Sequence, residues 1–194
     1  MNKNKTLLII VVFVIILGGA YLLYGKLGSQ VERESIVTEN STVSEGTSDE
    51  DEENKKISAP DFTVIDNDEN EIKLSDFEGK PVVINFWASW CGPCKAEMPE
   101  FEQAYKTYGD DVHFLMINST DGSQESVESA KEFIESSGYT FPVYYDTTSI
   151  ASIMYGVTGL PTTYFIDAEG NVIAKAVSSI NLETLEKGIG LITG

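Results

Sequence analysis

The chain has 194 residues, 42% of them hydrophobic and 10% aromatic, which is typical of a protein with a buried core and excludes global disorder. Its 31 acidic and 13 basic residues give a formal net charge of -18. Because such a charge would repel nucleic-acid phosphates, we expect no nucleic-acid partner.

The first 25 residues differ in kind from the rest of the chain. Lys3 and Lys5 precede nineteen uncharged residues, 6–24, and a helix of that length nearly crosses a hydrocarbon core of about 30 Å. The apolar run is longer than the core of a cleaved signal peptide. Residues 1–25 are therefore predicted to be a cytoplasmic N-terminus and a single transmembrane anchor. The two lysines place the rest of the chain on the extracytoplasmic face of the cell membrane.

Residues 26–56 form a second region. They contain nine acidic and four basic residues, no aromatic residue and no apolar periodicity. This composition is typical of a solvated, self-repelling spacer, and an interaction tail formed by the acidic run 49–53 is the alternative. We predict an acidic disordered tether.

The remaining residues, 57–194, have the length of one domain. The predicted elements, in chain order, are a hairpin at 62–65 and 71–74, a buried strand at 81–87, a helix at 93–108, a strand at 112–118, an amphipathic helix near 125–136, a strand at 141–145, a helix within TTSIASIMYGV, a hairpin formed by TTYFID and NVIAKAV, and a final helix capped by Asn181. Strands that alternate with helices, followed by a terminal hairpin, predict an α/β fold with a mixed central sheet flanked by helices.

The only two cysteines, Cys91 and Cys94, fall between the buried strand and the first long helix. A disulfide across two intervening residues closes too short a loop to stabilise the fold much. Two thiolates do not complete a metal site, and the only histidine, His113, lies in a predicted strand. The N–H groups and the dipole at a helix start stabilise a thiolate. Both cysteines are therefore predicted to be catalytic.

The spacing of the cysteines predicts their roles. Cys91 would be the exposed nucleophile that attacks a substrate disulfide, and Cys94, one helical turn later, would resolve the mixed disulfide. Gly92 and Pro93 permit a tight turn, and a proline suits the first helical turn because its missing N–H would have no partner there. We expect no cofactor beyond this redox-active pair, and no metal.

The stretch FWASWCGPC at 86–94 resembles the thioredoxin superfamily, and within it the membrane-anchored TlpA/ResA-like thiol-disulfide oxidoreductases. Supporting matches are APDF at 59–62, LSDFEGKPVVINFW at 74–87 and GLPTT at 159–163. The resemblance covers about residues 57–194. It implies a thioredoxin-like fold with an N-terminal β-hairpin, in which residues 119–145 form a central αβ insertion that shapes partner choice.

The resemblance also implies which residues meet the substrate. Pro161 would be the family's cis-proline beside the cysteines, although chain physics alone favours a trans bond. The backbone of Leu160 would pair with an extended segment of the substrate. Trp90, together with Gly92 and Pro93, would belong to the surface on which the substrate docks.

A proton carrier is also implied. Asn85 stands where thioredoxin has the buried aspartate that assists its resolving cysteine, and an amide cannot exchange a proton. Glu97, three residues after Cys94, matches an acidic residue of ResA-like proteins, so burial would raise its pKa and let it pass protons to and from Cys94. The residues alone leave open an exposed glutamate that favours the helix N-terminus.

Gly-Pro between the cysteines is the thioredoxin dipeptide, and thioredoxin lies near the reducing end of such couples, at about -270 mV. We therefore expect an extracytoplasmic reductase of protein disulfides in exported proteins. By resemblance, apocytochrome c is a candidate client, and a membrane thiol transporter of the CcdA or DsbD type would be the electron donor. The alternative is an oxidase that forms disulfides in exported proteins.

Two further classes fit the sequence less well. A peroxiredoxin-like peroxidase would have Thr or Ser at the position of Cys91 and an arginine near the site, but the only arginine is Arg33 in the predicted tether. A copper-binding module of the same fold would be expected to have CxxxC spacing and a distal histidine. This chain has CxxC spacing, and His113 begins the strand after the first long helix.

Overall fold

The computed structural model of the protein describes residues 36–38 and 56–194. Within these residues, nine strands pair in one mixed sheet. In chain order the strands are β1 (Ile36–Thr38), β2 (Ile57–Ser58), β3 (Thr63–Ile65), β4 (Glu71–Lys73), β5 (Val82–Trp87), β6 (His113–Asn118), β7 (Val143–Tyr145), β8 (Thr162–Ile166) and β9 (Asn171–Val177).

The order of strands across the sheet is β1-β9-β8-β5-β6-β7-β3-β4, and β2 also pairs with β9. The central strand β5 is parallel to β6 and antiparallel to β8, while β6 and β7 are parallel. Every residue of β5 is buried, as expected for a strand that is covered on both faces. Since parallel strands end at the same edge, the segments that follow β5 and β6 meet at one edge of the sheet.

The helices cover the two faces of this sheet. They are α1 (Gly92–Tyr108), α2 (Val127–Ser137), α3 (Ile150–Met154), α4 (Leu182–Thr193) and a 3-10 helix at Leu74–Phe77. Val83 of β5 belongs to an apolar cluster with Phe101 of α1 and Ile189 of α4. Its neighbour Ile84 belongs to a second cluster with Tyr155. Alternate residues of β5 therefore point into two separate apolar layers.

The predicted architecture is confirmed in its main features. The hairpin β3–β4, the buried strand β5, the long helix after the cysteines and the terminal hairpin β8–β9 are all present. The helix α2 and the strand β7 form the predicted αβ insertion between β6 and α3. The strands β1 and β2 were not predicted, and both lie along the same edge of β9.

The strand β1 lies within residues 26–56, which the sequence predicts to be a disordered tether. It pairs antiparallel with β9, with Ile36 opposite Ala176 and Thr38 opposite Ala174. Its three β-branched residues favour extended backbone, and the edge of β9 offers N–H and C=O groups for pairing. Three such residues inside an acidic segment give too short a pattern to be recognised in the sequence.

The predicted transmembrane anchor at residues 1–25 lies outside the described residues, as does the tether apart from β1 and Lys56. The domain predicted at 57–194 is described throughout. Within residues 36–38 and 56–194, no helix combines the length and the apolar character needed to cross a bilayer.

Candidate active site

The two cysteines lie where the central strand leads into the long helix. A short turn follows the last residue of β5, and Cys91 is the N-cap residue of α1. Cys91 and Cys94 form a disulfide, with their Cα atoms 5.3 Å apart. The Cys94 backbone N–H donates a hydrogen bond to the Cys91 Sγ at 3.2 Å. When the pair is reduced, this N–H and the dipole of α1 favour a thiolate at Cys91.

The two sulfur-bearing residues differ in access to solvent. Cys91 keeps 5% of its surface exposed and Cys94 keeps none. Around them the surface is open, because Trp90 is 52% exposed and both Gly92 and Pro93 are exposed. An incoming disulfide therefore reaches Cys91 first, across a rim formed by these three residues. Their contact with substrate stays a prediction.

The predicted cis-proline loop lies at the same edge of the sheet. The peptide bond between Leu160 and Pro161 is cis. Pro161 directly precedes β8, whose Thr162 is opposite Phe86 near the end of β5. Leu160 packs against the apolar cluster that contains both cysteines. The fold thus brings the cis-proline loop and the cysteine pair together, and the role of the loop in substrate binding stays a prediction.

Glu97 is buried on α1, with 2% of its surface exposed. Its Oε2 accepts a hydrogen bond from the Ile180 backbone N–H at 2.9 Å, and its Oε1 accepts one from Asn85 Nδ2 at 2.9 Å. Burial raises the pKa of Glu97 to about 7, and the two hydrogen bonds partly oppose this shift because they favour the charged form. The exposed alternative is therefore wrong, and Glu97 can both hold and release a proton near neutral pH.

Asn85 connects Glu97 to the neighbouring strand. Its side chain is fully buried on β5. Its Nδ2 donates to Glu97 Oε1 and also to the Thr163 Oγ1 of β8 at 3.0 Å. Its Oδ1 has no hydrogen-bond partner among the described residues. Asn85 thus orients the carboxyl group of Glu97, although it cannot exchange a proton itself.

Three contacts of this site were not predicted. Ile180 contributes only a backbone N–H, which has no sequence signature, and Thr163 appeared in the sequence as part of a β-strand pattern and of the GLPTT match, without a predicted contact to Asn85. Glu125 accepts hydrogen bonds from Ser89, two residues before Cys91. The sequence placed Glu125 at the start of an amphipathic helix, where an acidic residue is common for another reason, the favourable helix dipole.

The ring contact recorded for His113 is with Phe77 and not with the cysteines or Glu97. His113 is the first residue of β6, and its ring lies 5.0 Å from the ring of Phe77, centroid to centroid. Burial and the charge of Lys80 lower the pKa of His113. Within residues 36–38 and 56–194, no three Cys, His, Asp or Glu side chains cluster in a way that could hold a metal ion. Arg33, considered above for a peroxidase, lies outside the described residues.

The sequence of this chain is similar to known redox proteins. Residues 56–175 match the AhpC/TSA family. The chain is 31% identical over 194 residues to the thiol-disulfide oxidoreductase ResA of Bacillus cereus, and the alignment covers 100% of this chain and 99% of that protein. It is 37% identical over 132 residues to ResA of Oceanobacillus iheyensis, which covers 66% of this chain and 67% of that protein.

The fold is similar to that of a solved thiol:disulfide interchange protein. A thiol:disulfide interchange protein of the thioredoxin family from Chlorobium tepidum superimposes with a TM-score of 0.63 at 28% sequence identity. The superposition covers 72% of this chain and 98% of that protein. The expectation of a thioredoxin-like fold is confirmed.

Proposed function

Because the chain belongs to the AhpC/TSA family of thioredoxin-like proteins, and is a thiol-disulfide oxidoreductase of the ResA type, we propose that it reduces disulfides in exported proteins. The observation that carries this proposal is the Cys91–Cys94 disulfide at the start of α1. It is flanked by exposed Trp90 and by the cis peptide bond before Pro161.

The reaction follows from the geometry of the cysteine pair. In the reduced protein, the Cys91 thiolate attacks one sulfur of the substrate disulfide and forms a mixed disulfide, and the other substrate sulfur leaves as a thiolate that takes a proton from water. Cys94 then loses its proton, and its thiolate attacks the Cys91 sulfur and displaces the second substrate thiolate. The substrate gains two electrons, and the pair ends as a disulfide. No bound cofactor is needed.

We propose that Glu97 accepts the proton that the Cys94 thiol loses. The resolving step requires a thiolate at Cys94, which is fully buried and shielded from water. Glu97 lies three residues later on α1 and carries a carboxyl group with a pKa of about 7. A group with that pKa accepts a proton in one half of the cycle and returns it in the other.

The reducing direction rests on the residues between the cysteines. Gly92 and Pro93 are the thioredoxin dipeptide, and thioredoxin has a potential of about -270 mV. Oxidised exported proteins, apocytochrome c among them, would be the clients. The opposite direction, disulfide formation by an oxidase, uses the same two cysteines with a less stable disulfide and is the alternative.

The proposed place of action is the extracytoplasmic face of the cell membrane. The uncharged run at 6–24 after Lys3 and Lys5 supports a single-pass anchor with its N-terminus in the cytoplasm. A reductase in that place needs electrons from the cytoplasm, so we propose a membrane thiol transporter of the CcdA or DsbD type as donor. Labelling of the reduced cysteines in intact cells with a membrane-impermeant maleimide tests the location. Labelling only after lysis would contradict it.

The reduction potential of the Cys91–Cys94 pair tests the direction. The purified chain is equilibrated with glutathione or dithiothreitol buffers, and the dithiol fraction is measured by alkylation. We expect a value near about -270 mV or lower. A value near about -120 mV would contradict the reductase proposal and favour the oxidase. The variant Cys94→Ser, which cannot close the disulfide, is the control for alkylation.

A further inference from the structure

Glu125 carries a buried carboxylate that the proposed thiol chemistry does not use, with 1% of its surface exposed. Its Oε2 accepts hydrogen bonds from the Ser89 backbone N–H at 3.0 Å and from the Ser89 hydroxyl at 2.8 Å. Its Oε1 accepts from Asn118 Nδ2 and from the Ser129 hydroxyl, both at 3.3 Å. Both oxygens are therefore satisfied by fixed donors, and the carboxylate is held in one place.

The segment that carries Glu125 is itself ordered by hydrogen bonds. Asp121 Oδ1 accepts the backbone N–H groups of residues 123–125 at 2.8, 2.8 and 3.1 Å. These bonds lower the pKa of Asp121 to about 2. Ser126 then caps α2. Glu125 thus lies between the loop at 121–124 and the start of α2, within the central insertion at 119–145.

Ser89 belongs to the turn that leads to the nucleophile. The Cys91 N–H donates to the Ala88 carbonyl oxygen at 3.2 Å, which closes a turn over residues 88–91. Ser89 and Trp90 occupy the two central positions of this turn. Ser89 is fixed by Glu125, whereas Trp90 projects into solvent. One buried contact therefore fixes the backbone that carries the exposed aromatic side chain beside Cys91.

We propose that Glu125 is a positioning residue for protein substrates: by binding the N–H and the hydroxyl of Ser89, it sets the position of Trp90 and so links the central insertion to the docking surface. Glu125 does not take part in bond exchange. The inference rests on the proposed reduction of protein disulfides. It would give the central insertion, which contributes no cysteine, a direct effect on the choice of partner.

The chain contains a matched contact that serves as a control. The carboxylate of Glu102 accepts the backbone N–H and the hydroxyl of Thr140, both at 2.8 Å. Glu102 is also buried, with 8% of its surface exposed. Its contact joins α1 to the segment before β7 rather than to the turn at 88–91. Both glutamates accept an N–H and a hydroxyl from a single residue, but Glu102 also pairs with Lys106 at 2.9 Å and holds a different segment.

The experiment compares Glu125→Gln, Ser89→Ala and Glu102→Gln with the unchanged full chain. Each protein is purified, and turnover supported by dithiothreitol is measured with insulin as the protein disulfide. The rate of the reduced protein with 2-hydroxyethyl disulfide, a small neutral disulfide, is measured in parallel. Urea unfolding of each variant shows that it is folded under the assay conditions. Ser89→Ala removes only the hydroxyl bond and keeps the test open should Glu125→Gln fail to fold.

We expect the KM for insulin to rise about five- to tenfold in Glu125→Gln, the size of effect that the net loss of one ordinary hydrogen bond produces. The kcat for insulin and the rate with the small disulfide should stay within about twofold, since the helix start that activates Cys91 is unchanged. Ser89→Ala should raise the KM less than Glu125→Gln. Glu102→Gln should leave the KM unchanged.

Three results would overturn the positioning role. An unchanged KM for insulin in Glu125→Gln would show that Glu125 has no part in docking. If Glu102→Gln raises this KM as much as Glu125→Gln does, the effect of Glu125 is one of general stability. A parallel fall in kcat and in the small-disulfide rate would assign Glu125 to the thiol chemistry instead. If the unchanged chain reacts with 2-hydroxyethyl disulfide but not with insulin, the proposed function fails, and the docking role fails with it.

Discussion

At the scale of single residues, Glu97 couples the pH to the stability of the fold. Its pKa is about 7 in the folded protein against 4.5 for an unperturbed glutamate. Between these two pH values the folded state binds a proton that the unfolded state has lost, so stability falls as the pH rises. The stabilisation that the bound proton gives the folded state is fully present below pH 4.5 and is lost above pH 7. It amounts to about 3 kcal/mol in the free energy of unfolding.

The variant Glu97→Gln should remove this dependence. In urea unfolding of the disulfide form, the unfolding free energy of the unchanged chain should fall by about 2.5 kcal/mol more than that of Glu97→Gln between about pH 5 and about pH 8. The disulfide form is used so that no thiol titrates. Glu100→Gln, on the same helix, is the control and should keep the slope of the unchanged chain. Equal slopes in Glu97→Gln and the unchanged chain would show that Glu97 does not titrate with a raised pKa.

Asn85 should set the pKa of Glu97 through its hydrogen bond. The Asn85 Nδ2 group donates to Glu97 Oε1 at 2.9 Å and so favours the charged carboxylate. In Asn85→Ala the pKa of Glu97 should rise further, because burial is then opposed by the Ile180 N–H alone. Carboxyl carbon NMR of the disulfide form, followed against pH, measures the shift.

The control for this measurement is Thr163→Val. The Thr163 hydroxyl accepts the other N–H of Asn85 at 3.0 Å, whereas the Glu97 carboxyl is bonded by Asn85 and by the Ile180 N–H. Loss of the Thr163 hydroxyl should leave the pKa of Glu97 nearly unchanged. A lower pKa of Glu97 in Asn85→Ala would show that water enters the space left by the amide and that solvation outweighs the hydrogen bond.

At the scale of secondary-structure elements, the last helix depends on one glycine. Gly188 of α4 is buried, and a Cβ added there would overlap the ring of Phe165 in β8. The ring lies in the core and has no room to retreat. Gly188→Ala should therefore destabilise the protein by about 1–3 kcal/mol in urea unfolding, the usual cost of overpacking.

A second glycine in the same helix gives the matched control. Gly190 is exposed, and a Cβ added there meets no atom within 4 Å. Since alanine favours the helix more than glycine, Gly190→Ala should stabilise the protein by about 0.5–1 kcal/mol. Equal effects of the two substitutions would mean that helix propensity rather than the contact with Phe165 decides the cost.

The elements that the sequence predicted are those with local signals. The strand β5 is a continuous apolar run, and α1 follows a cysteine N-cap, starts with Gly92 and Pro93, and ends at Tyr108 with Gly109 as its C-cap. The cysteines could be placed because they lie between these two elements. The contacts that complete the site join residues far apart in the chain, 83 positions for Ile180 and Glu97 and 36 for Glu125 and Ser89. No pattern in a single segment encodes such pairs.

At the scale of the whole molecule, the net charge should decide which clients dock fastest. The formal charge of -18 creates a field that attracts basic proteins and repels acidic ones. Salt weakens this field, with a Debye length of about 10 Å at 0.1 M and about 3 Å at 1 M. For a basic protein disulfide, such as oxidised ribonuclease A, we expect kcat/KM to fall about tenfold as NaCl rises from about 0.02 to about 0.5 M.

Two measurements separate this effect from a general effect of salt on the enzyme. The rate with 2-hydroxyethyl disulfide, which is neutral, should stay within about twofold, because no long-range field acts on it. The kcat/KM for insulin, an acidic protein, should rise with salt as repulsion is screened. If both protein substrates lose rate equally, the docking surface is not governed by the net charge, and local contacts of Trp90 and the cis-proline loop determine the encounter instead.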